Sequence, residues 1–519
     1  MKLVVLHSHY RPGGVRRVIE LALPALAASR ALGVREIVLV GGEAPDPVWR
    51  AELTGSLPGI RISFSTLACV GYRAELRQTP AAVTRALRRF LADLLGPPEG
   101  KADTVVWAHN LGLGRNLLLA RELVRACTRR NVRLLSHHHD WWFDNRWQRW
   151  PEIRASGFRT LRSVEAVVFS RAVGVRHATI NRADHRILSG ALGARAGWLP
   201  NLVIRTAAPA AVAVDAARKW CERQMGEAAP VWLAPCRLLR RKHLAEAWLL
   251  TRWLRPEAWL LTTGGVSSAD EQPYAQALQA AAKRHGWRLR LGVLAGGDQT
   301  KPGIPALLAA SEALLLTSLQ EGFGLPFLEA SAARRPLIAR RLPQVAPDLA
   351  SFGFRFPQSY DELWIAPELF DHRAEQQRQA QRWSTWRAAL PRACQALATR
   401  PPWLDDPLSP RAFSRLTLVA QLEVLAHDAA VSWELCAPLN PWLRSARARA
   451  ARGALSVSPW PRTADQQLGP AAYASRLARL LRQPAPADAA SSPPSAGRAF
   501  LRARLGGGNQ YPLLWTCTP

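Results

Sequence analysis

Residues 318–339, SLQEGFGLPFLEASAARRPLIA, put two carboxylates, Glu321 and Glu329, eight positions apart around paired glycines and a proline. ALLLTS, just before, reads as a buried strand and LQEGFG as the loop leaving it. Pro326 suits the first turn of a following helix, where its missing N–H costs nothing. Gly322 and Gly324 let backbone approach a ligand without side-chain interference. The helix N-terminus offers unpaired N–H groups and partial positive charge, which suits the phosphates of a nucleotide. Glu321 on the loop and Glu329 about a turn into the helix can face one cleft. Carboxylates are poor phosphate ligands, so both would accept hydrogen bonds from sugar or ribose hydroxyls, each contributing about 1.5–3 kcal/mol.

Such a loop needs a parallel sheet behind it, and the chain supplies two. Short apolar runs alternate with amphipathic stretches, the signature of βαβ units. The first half has strand candidates KLVVLHS, REIVLVGG, IRISFST, TVVWAH, VRLLSH and AVVFS, with helical patterns such as TPAAVTRALRRFLADLLG between them. After GWLPNLVI the rhythm restarts with VWLAP, AWLLTTGG, WRLRLGVL, ALLLTS and PLIAR. Two doubly wound α/β sheets in series imply a cleft, with ligands beyond the carboxyl ends of the strands. The expected organisation is an acceptor-side domain over 1–200, a donor domain over 201–385, and a helical or irregular extension over 386–519. QPAPADAASSPPSAG reads as a flexible linker.

A chain of 519 residues with 48% apolar and 21% charged residues is globular and too long for one core. No run of eighteen apolar residues reads as a membrane span, and the N-terminus lacks a signal-peptide pattern, so a cytoplasmic location is expected. Seven scattered cysteines, none in a C-x-x-C pair, argue against a disulfide framework or a zinc site. The net charge of +30 suggests nucleic acid, but only six of the 69 basic residues are lysine and the arginines are dispersed. Nucleic acid is therefore not an expected partner. RSARARAARG, the densest basic run, reads as a solvated helix face, with peripheral contact to the inner face of a membrane left open.

EGFGLPFLEA resembles the glutamate-x7-glutamate motif of the family-4 retaining glycosyltransferases, which have the GT-B fold of two Rossmann-like domains facing a cleft. The resemblance implies that Glu321 contacts donor-sugar hydroxyls, that Glu329 holds the ribose, and that backbone around Gly322, Phe323, Gly324 and Leu325 lies against sugar and phosphates. APCRLLRRKHLAEA resembles the family's Arg-x4-Lys element, with Arg237 and Lys242 at the matching spacing. Two fixed cations at the mouth of a strand suit a diphosphate leaving group. The family usually has glycine after that lysine, where this chain has His243. Arg240 and Arg241 read as solvated neighbours, although an arginine there could substitute for either cation. HSHYRPGGVRRVIE resembles the family's Gly-Gly loop, which implies a donor-phosphate role for Gly13 and Gly14. ADTVVWAHN resembles the strand whose terminal histidine touches the donor sugar, here His109. In SHHHDWW, His139 and Asp140 resemble a His-Asp pair that lines the acceptor pocket in some relatives. Successive residues of an extended segment point to opposite faces, so no metal is expected from the three histidines. Trp141, Trp142, Trp147 and Trp150 read mostly as core. LPNLVI resembles the family's Pro-Asn-Gly-Val segment with Leu202 in place of glycine.

The resemblance spans roughly residues 1–385. It implies metal-independent, retaining transfer of a hexosyl group from a nucleotide-diphosphate sugar, as co-substrate rather than cofactor, to a hydroxyl of a sugar, glycerate-type, lipid or polysaccharide acceptor. Two rivals are a phosphate-dependent disaccharide phosphorylase of similar fold and a non-catalytic basic protein that binds RNA or anionic membrane.

Overall fold

The computed structural model describes residues 1–97, 103–144, 147–296, 300–405, 410–482 and 495–516. The chain divides into two compact units, each built on one parallel sheet.

Unit 1 comprises Met1–Ile204, Ala389–Leu397 and Thr463–Leu505. Its seven strands are β1 (Lys2–Leu6), β2 (Glu36–Gly41), β3 (Arg61–Thr66), β4 (Thr104–His109), β5 (Arg133–His138), β6 (Val175–Thr179) and β7 (Ala196–Trp198). They lie in the order β3-β2-β1-β4-β5-β6-β7, with β1 central and Lys2 to Leu6 in register with Thr104 to Ala108 of β4. β4 is buried along its whole length, as expected for a parallel strand covered on both faces. The helix expected over 79–96 runs Pro80–Leu95. Thr79 caps it by accepting from the Ala82 N–H, Pro80 opens it, and Gly96 closes it at φ 61°.

AVVFS, expected as a strand, instead ends the helix Leu161–Val168. Thr160 and Ser163 form a reciprocal capping box there, and Val164 and Val168 bury one helical face. The sixth and seventh strands are the short VRHAT and AGW further along.

Unit 2 comprises Arg205–Ala388, Ala398–Arg462 and Gly506–Pro519. Its strands are β8 (Val231–Ala234), β9 (Trp259–Thr262), β10 (Leu289–Arg290), β11 (Ala313–Leu316), β12 (Leu337–Arg340) and β13 (Gln358–Tyr360). They lie in the order β10-β9-β8-β11-β12-β13, and every pair is parallel. WRLRLGVL forms a strand over two residues only.

Residues beyond 386, expected as a separate extension, divide between the units. In unit 1, Tyr473, Leu477, Leu480 and Leu481 of the helix Pro470–Arg482 join the core that contains Leu3, Ile19 and Leu23. Arg504 of the helix Ala496–Leu505 bonds Asp144 at 2.9 Å and Asp184 at 2.7 Å. In unit 2, Tyr511, Leu513 and Leu514 belong to the core built around Trp232 and Trp253. The basic run forms the helix Trp442–Ala451, which buries Leu443, Ala446 and Ala450 and leaves Arg444 exposed. Most of the segment read as a linker, 483–494, lies outside the described residues, while Ser495 precedes the helix Ala496–Leu505 and Ala496 and Gly497 open it. Among the described residues no helix is long and apolar enough to cross a membrane.

Candidate active site

β8 and β11 are neighbours in the unit 2 sheet, so the loops that leave their carboxyl ends emerge side by side. The loop after β8 carries a short 3-10 turn, Arg240–Lys242, and the loop after β11 carries Glu321. The Leu319 N–H donates to Arg241 O at 2.8 Å, and the Thr317 hydroxyl donates toward Lys242 O and His243 O at 3.0 Å each. These bonds pin the two loops together through backbone.

The Lys242 ammonium pairs with Glu321 Oε1. Arg241 Nη1 lies 3.2 Å from Glu321 Oε2 and also donates to Gln320 O at 2.9 Å. Ser318 Oγ donates to Glu321 Oε1 at 2.7 Å. Burial pushes the Glu321 carboxyl up, but Lys242 and Arg241 outweigh it and hold the group at about 2. The carboxylate therefore remains ionised throughout the neutral range.

Arg240 and Arg241, expected to be solvated neighbours, are both drawn into ion pairs, Arg240 buried and Arg241 half-buried. Arg240 is buried, bonds Glu271 through its backbone N–H at 2.8 Å and its side chain, and donates to Thr516 O. Short acceptors on neighbouring loops draw in side chains that sequence spacing alone leaves unassigned. Arg237 is exposed, with its Cα and Cγ against Gly264, where an added Cβ would come within 3.2 Å and 2.8 Å.

His243 explains the glycine usual at its position in the resembling family. Its backbone is left-handed, at φ 53°, as the chain turns from the cationic loop into the helix Leu244–Leu254. This chain holds a histidine there by enclosing it fully, with Nδ1 3.2 Å from Glu246 Oε2 and the ring 5.5 Å from Phe413. Glu246 is itself bonded by Arg340 at 2.6 Å and by the Tyr360 hydroxyl. Burial raises the Glu246 carboxyl, and Arg340 and His243 reverse the effect and hold it at about 2.

The glycine-rich loop leads into the helix Leu325–Ala332, with Pro326 in its first turn as expected. Gly324 stands at φ 83°, and a Cβ there would meet Val345 Cγ1 at 2.8 Å and Phe327 Cδ2 at 3.0 Å. Both conformation and space therefore demand glycine. Glu329 is half-buried in the second turn, and Phe323 is buried.

In unit 1, Gly13 and Gly14 open the helix Gly14–Ala27. Gly13 is extended at φ 165° and a Cβ on Gly14 would meet nothing within 4 Å, so the fold itself does not require glycine at either position. His109 ends β4 and is 2% exposed, with Nδ1 3.0 Å from His139 Nε2. Asn110, at φ 59°, accepts on Oδ1 from the backbone N–H groups of His139, at 2.8 Å, and Asp140, at 3.1 Å. The alternation expected of SHHHDWW occurs: His138 turns away to stack on Trp141 and meet His177 at 3.1 Å. His137 and His139 share the other face, and β4 adds His109 to them. Trp141, Trp142, Trp147 and Trp150 are buried, as expected of core. Leu202 is buried in the unit 1 core without left-handed backbone, so leucine fits where the resembling segment has glycine.

The family model for glycosyl transferases group 1 matches residues 227–355, which contain Arg237, Lys242, Glu321 and Glu329. Residues 227–355 are thus similar to the glycosyl transferases group 1 family. A mannosylglucosyl-3-phosphoglycerate synthase from Petrotoga mobilis is 23% identical over 359 residues, 66% of this chain and 65% of that protein. The match thus spans just under two thirds of that relative's length. The sucrose-phosphate synthase of Thermosynechococcus elongatus superposes with a TM-score of 0.50 at 14% identity, over 93% of this chain and 98% of that one. The matched segment sits in a chain of the GT-B fold class, with two doubly wound α/β units, as the motifs led us to expect.

Proposed function

We propose that the protein is a retaining glycosyltransferase that moves a hexosyl group from a nucleotide-diphosphate sugar to an acceptor hydroxyl. The observation that carries this reading is the meeting of Lys242 and Glu321 across the ends of β8 and β11. It joins the Arg-x4-Lys and Glu-x7-Glu elements at one place in the matched segment.

In the proposed reaction the bond between the anomeric carbon and the diphosphate oxygen breaks, leaving negative charge on the diphosphate. Arg237, Lys242 and the N-terminal turn of the helix Leu325–Ala332 stabilise that charge, so protein cations serve where other enzymes use a divalent ion. Glu329 accepts from the ribose hydroxyls. Glu321, fixed by Lys242, Arg241 and Ser318, accepts from a hydroxyl of the sugar. The departing oxygen takes the acceptor's proton as the acceptor oxygen bonds the same face of the anomeric carbon, so configuration is retained without a separate base. For unit 1 the proposal keeps the phosphate-side role of Gly13 and Gly14 and the acceptor-side role of Asp140. It does not keep a sugar contact for His109 or an acceptor-side role for His139, whose rings are buried against each other. The name of the Petrotoga relative, which specifies a 3-phosphoglycerate glycoside, supports an anionic glycerate-type acceptor.

Thermal-shift screening against UDP-, GDP- and ADP-sugars tests the donor class, because a bound ligand raises the melting temperature with its concentration over Kd. A nucleotide sugar that stabilises the protein should then be consumed in the presence of 3-phosphoglycerate or a sugar acceptor, with an NMR coupling that reports retained anomeric configuration. Inverted product, or no stabilisation by any nucleotide sugar, overturns the proposal.

A further inference from the structure

We infer that His109, His137 and His139 form a binding site for a divalent transition-metal ion of the zinc class, inside unit 1. Each residue presents one ring nitrogen, and these atoms all lie within 4.8 Å of one another. Tetrahedral zinc with Zn–N bonds of about 2.0–2.1 Å needs nitrogens about 3.4 Å apart. Closing that difference requires the imidazoles to rotate about their side-chain bonds.

The rings are held from behind. His109 ends β4, His137 lies on β5 beside it in register, and His139 follows two residues on, its backbone N–H fixed by Asn110 Oδ1. Ring centroids are 4.4 Å apart for His137 and His139, 5.3 Å for His109 and His139, and 5.4 Å for His109 and His137. Trp107 walls the cluster, tilted on His109 at 4.3 Å and stacked on His137 at 6.0 Å.

The hydrogen bonds point the same way. His137 Nε2 lies 3.3 Å from Leu199 O. A carbonyl only accepts, so the proton is on Nε2, and Nδ1 is a bare lone pair, buried without a partner. This backbone carbonyl on the far nitrogen is the arrangement that orients metal-ligating histidines. His109 Nε2 is likewise buried without a partner. Whichever way the proton lies between His109 Nδ1 and His139 Nε2, one polar nitrogen of His109 stays unsatisfied. An ion accepting lone pairs from all three rings would engage the bare His137 Nδ1. Three imidazoles suit zinc, and leave a fourth position for water or another ligand.

The test uses the full chain, stripped with a chelator and desalted. Titration with Zn2+ against a chromophoric chelator should show a single equivalent bound per chain and a raised melting temperature, and Co2+ should give the intense visible bands of a four-coordinate site. His137→Ala and His139→Gln should each abolish that equivalent, while His285→Ala, in unit 2, should keep it. A folded wild-type protein that takes up no equivalent overturns the site, and so does retention by the folded His137→Ala or His139→Gln proteins. Should those variants not fold, zinc-edge X-ray absorption of the wild-type protein decides. Three imidazoles around the ion support the site, and fewer than three or any sulfur overturn it. None of these readouts involves sugar transfer, so failure here leaves the proposed reaction standing, and the converse holds.

Discussion

Lys242 and Glu321, 79 positions apart in sequence, form an ion pair where the loops after β8 and β11 emerge together. Each carries part of a different motif, and neighbouring parallel strands place them in contact.

Lys242→Ala should lower transfer by about 10²–10³-fold, the scale on which removing one preorganised charge-stabilising group acts. Arg241 and Ser318 still hold Glu321 in this variant, so the protein should stay folded by circular dichroism. Glu329→Ala should also lose most transfer, mainly through weaker donor binding. Turnover close to wild type in either folded variant would contradict these roles.

Arg240 and Arg241 should behave differently despite being adjacent. Arg241→Ala removes a cation from Glu321 and should reduce turnover with little change in melting temperature. Arg240→Ala strips Glu271 and Thr516 of a buried partner and should lower the melting temperature first. Thermal unfolding alongside steady-state kinetics separates the two effects.

Gly324→Ala should destabilise the protein by roughly 1–3 kcal/mol through its positive φ, with the contact to Val345 adding to the loss. Denaturant titration measures the loss. Unchanged stability would mean that the loop has a second conformation open to side chains.

Glu246 should make stability depend on acidity. Its carboxyl titrates at about 2 in the fold, against about 4.3 in an unfolded chain. The unfolded state takes up the proton first, so this contribution is complete above about pH 4.3 and is lost as pH falls toward 2. Glu246→Gln should be less stable at neutral pH, because Arg340 loses a buried partner, and its stability should fall less between pH 4.3 and 2. Urea unfolding at several pH values compares the slopes.

Much of this was legible in the residues. Uninterrupted runs such as TVVWAH and ALLLTS identify buried parallel strands, because both faces of such strands are covered. Where an apolar run is short, as in AVVFS, period alone does not separate strand from helix, and the Thr160–Ser163 capping box decided for helix. The Glu-x7-Glu loop was readable because φ at Gly324 and the proline after it are local requirements. Arg241 was missed since its role depends on a carboxylate 80 residues away. The histidine cluster was missed for a related reason: alternation along β5 separates His138 from its neighbours, but only pairing with β4 brings in His109.

The helix Pro470–Arg482 supplies Tyr473 and Leu477 to a core whose other walls, from Leu3 to Leu202, are translated hundreds of codons earlier. On the ribosome the first unit must therefore wait with an uncovered apolar strip while nearly all of the second is made. Nascent chains arrested before this helix emerges should expose that strip to chaperones, and early termination should harm the oldest part of the polypeptide as well as the newest.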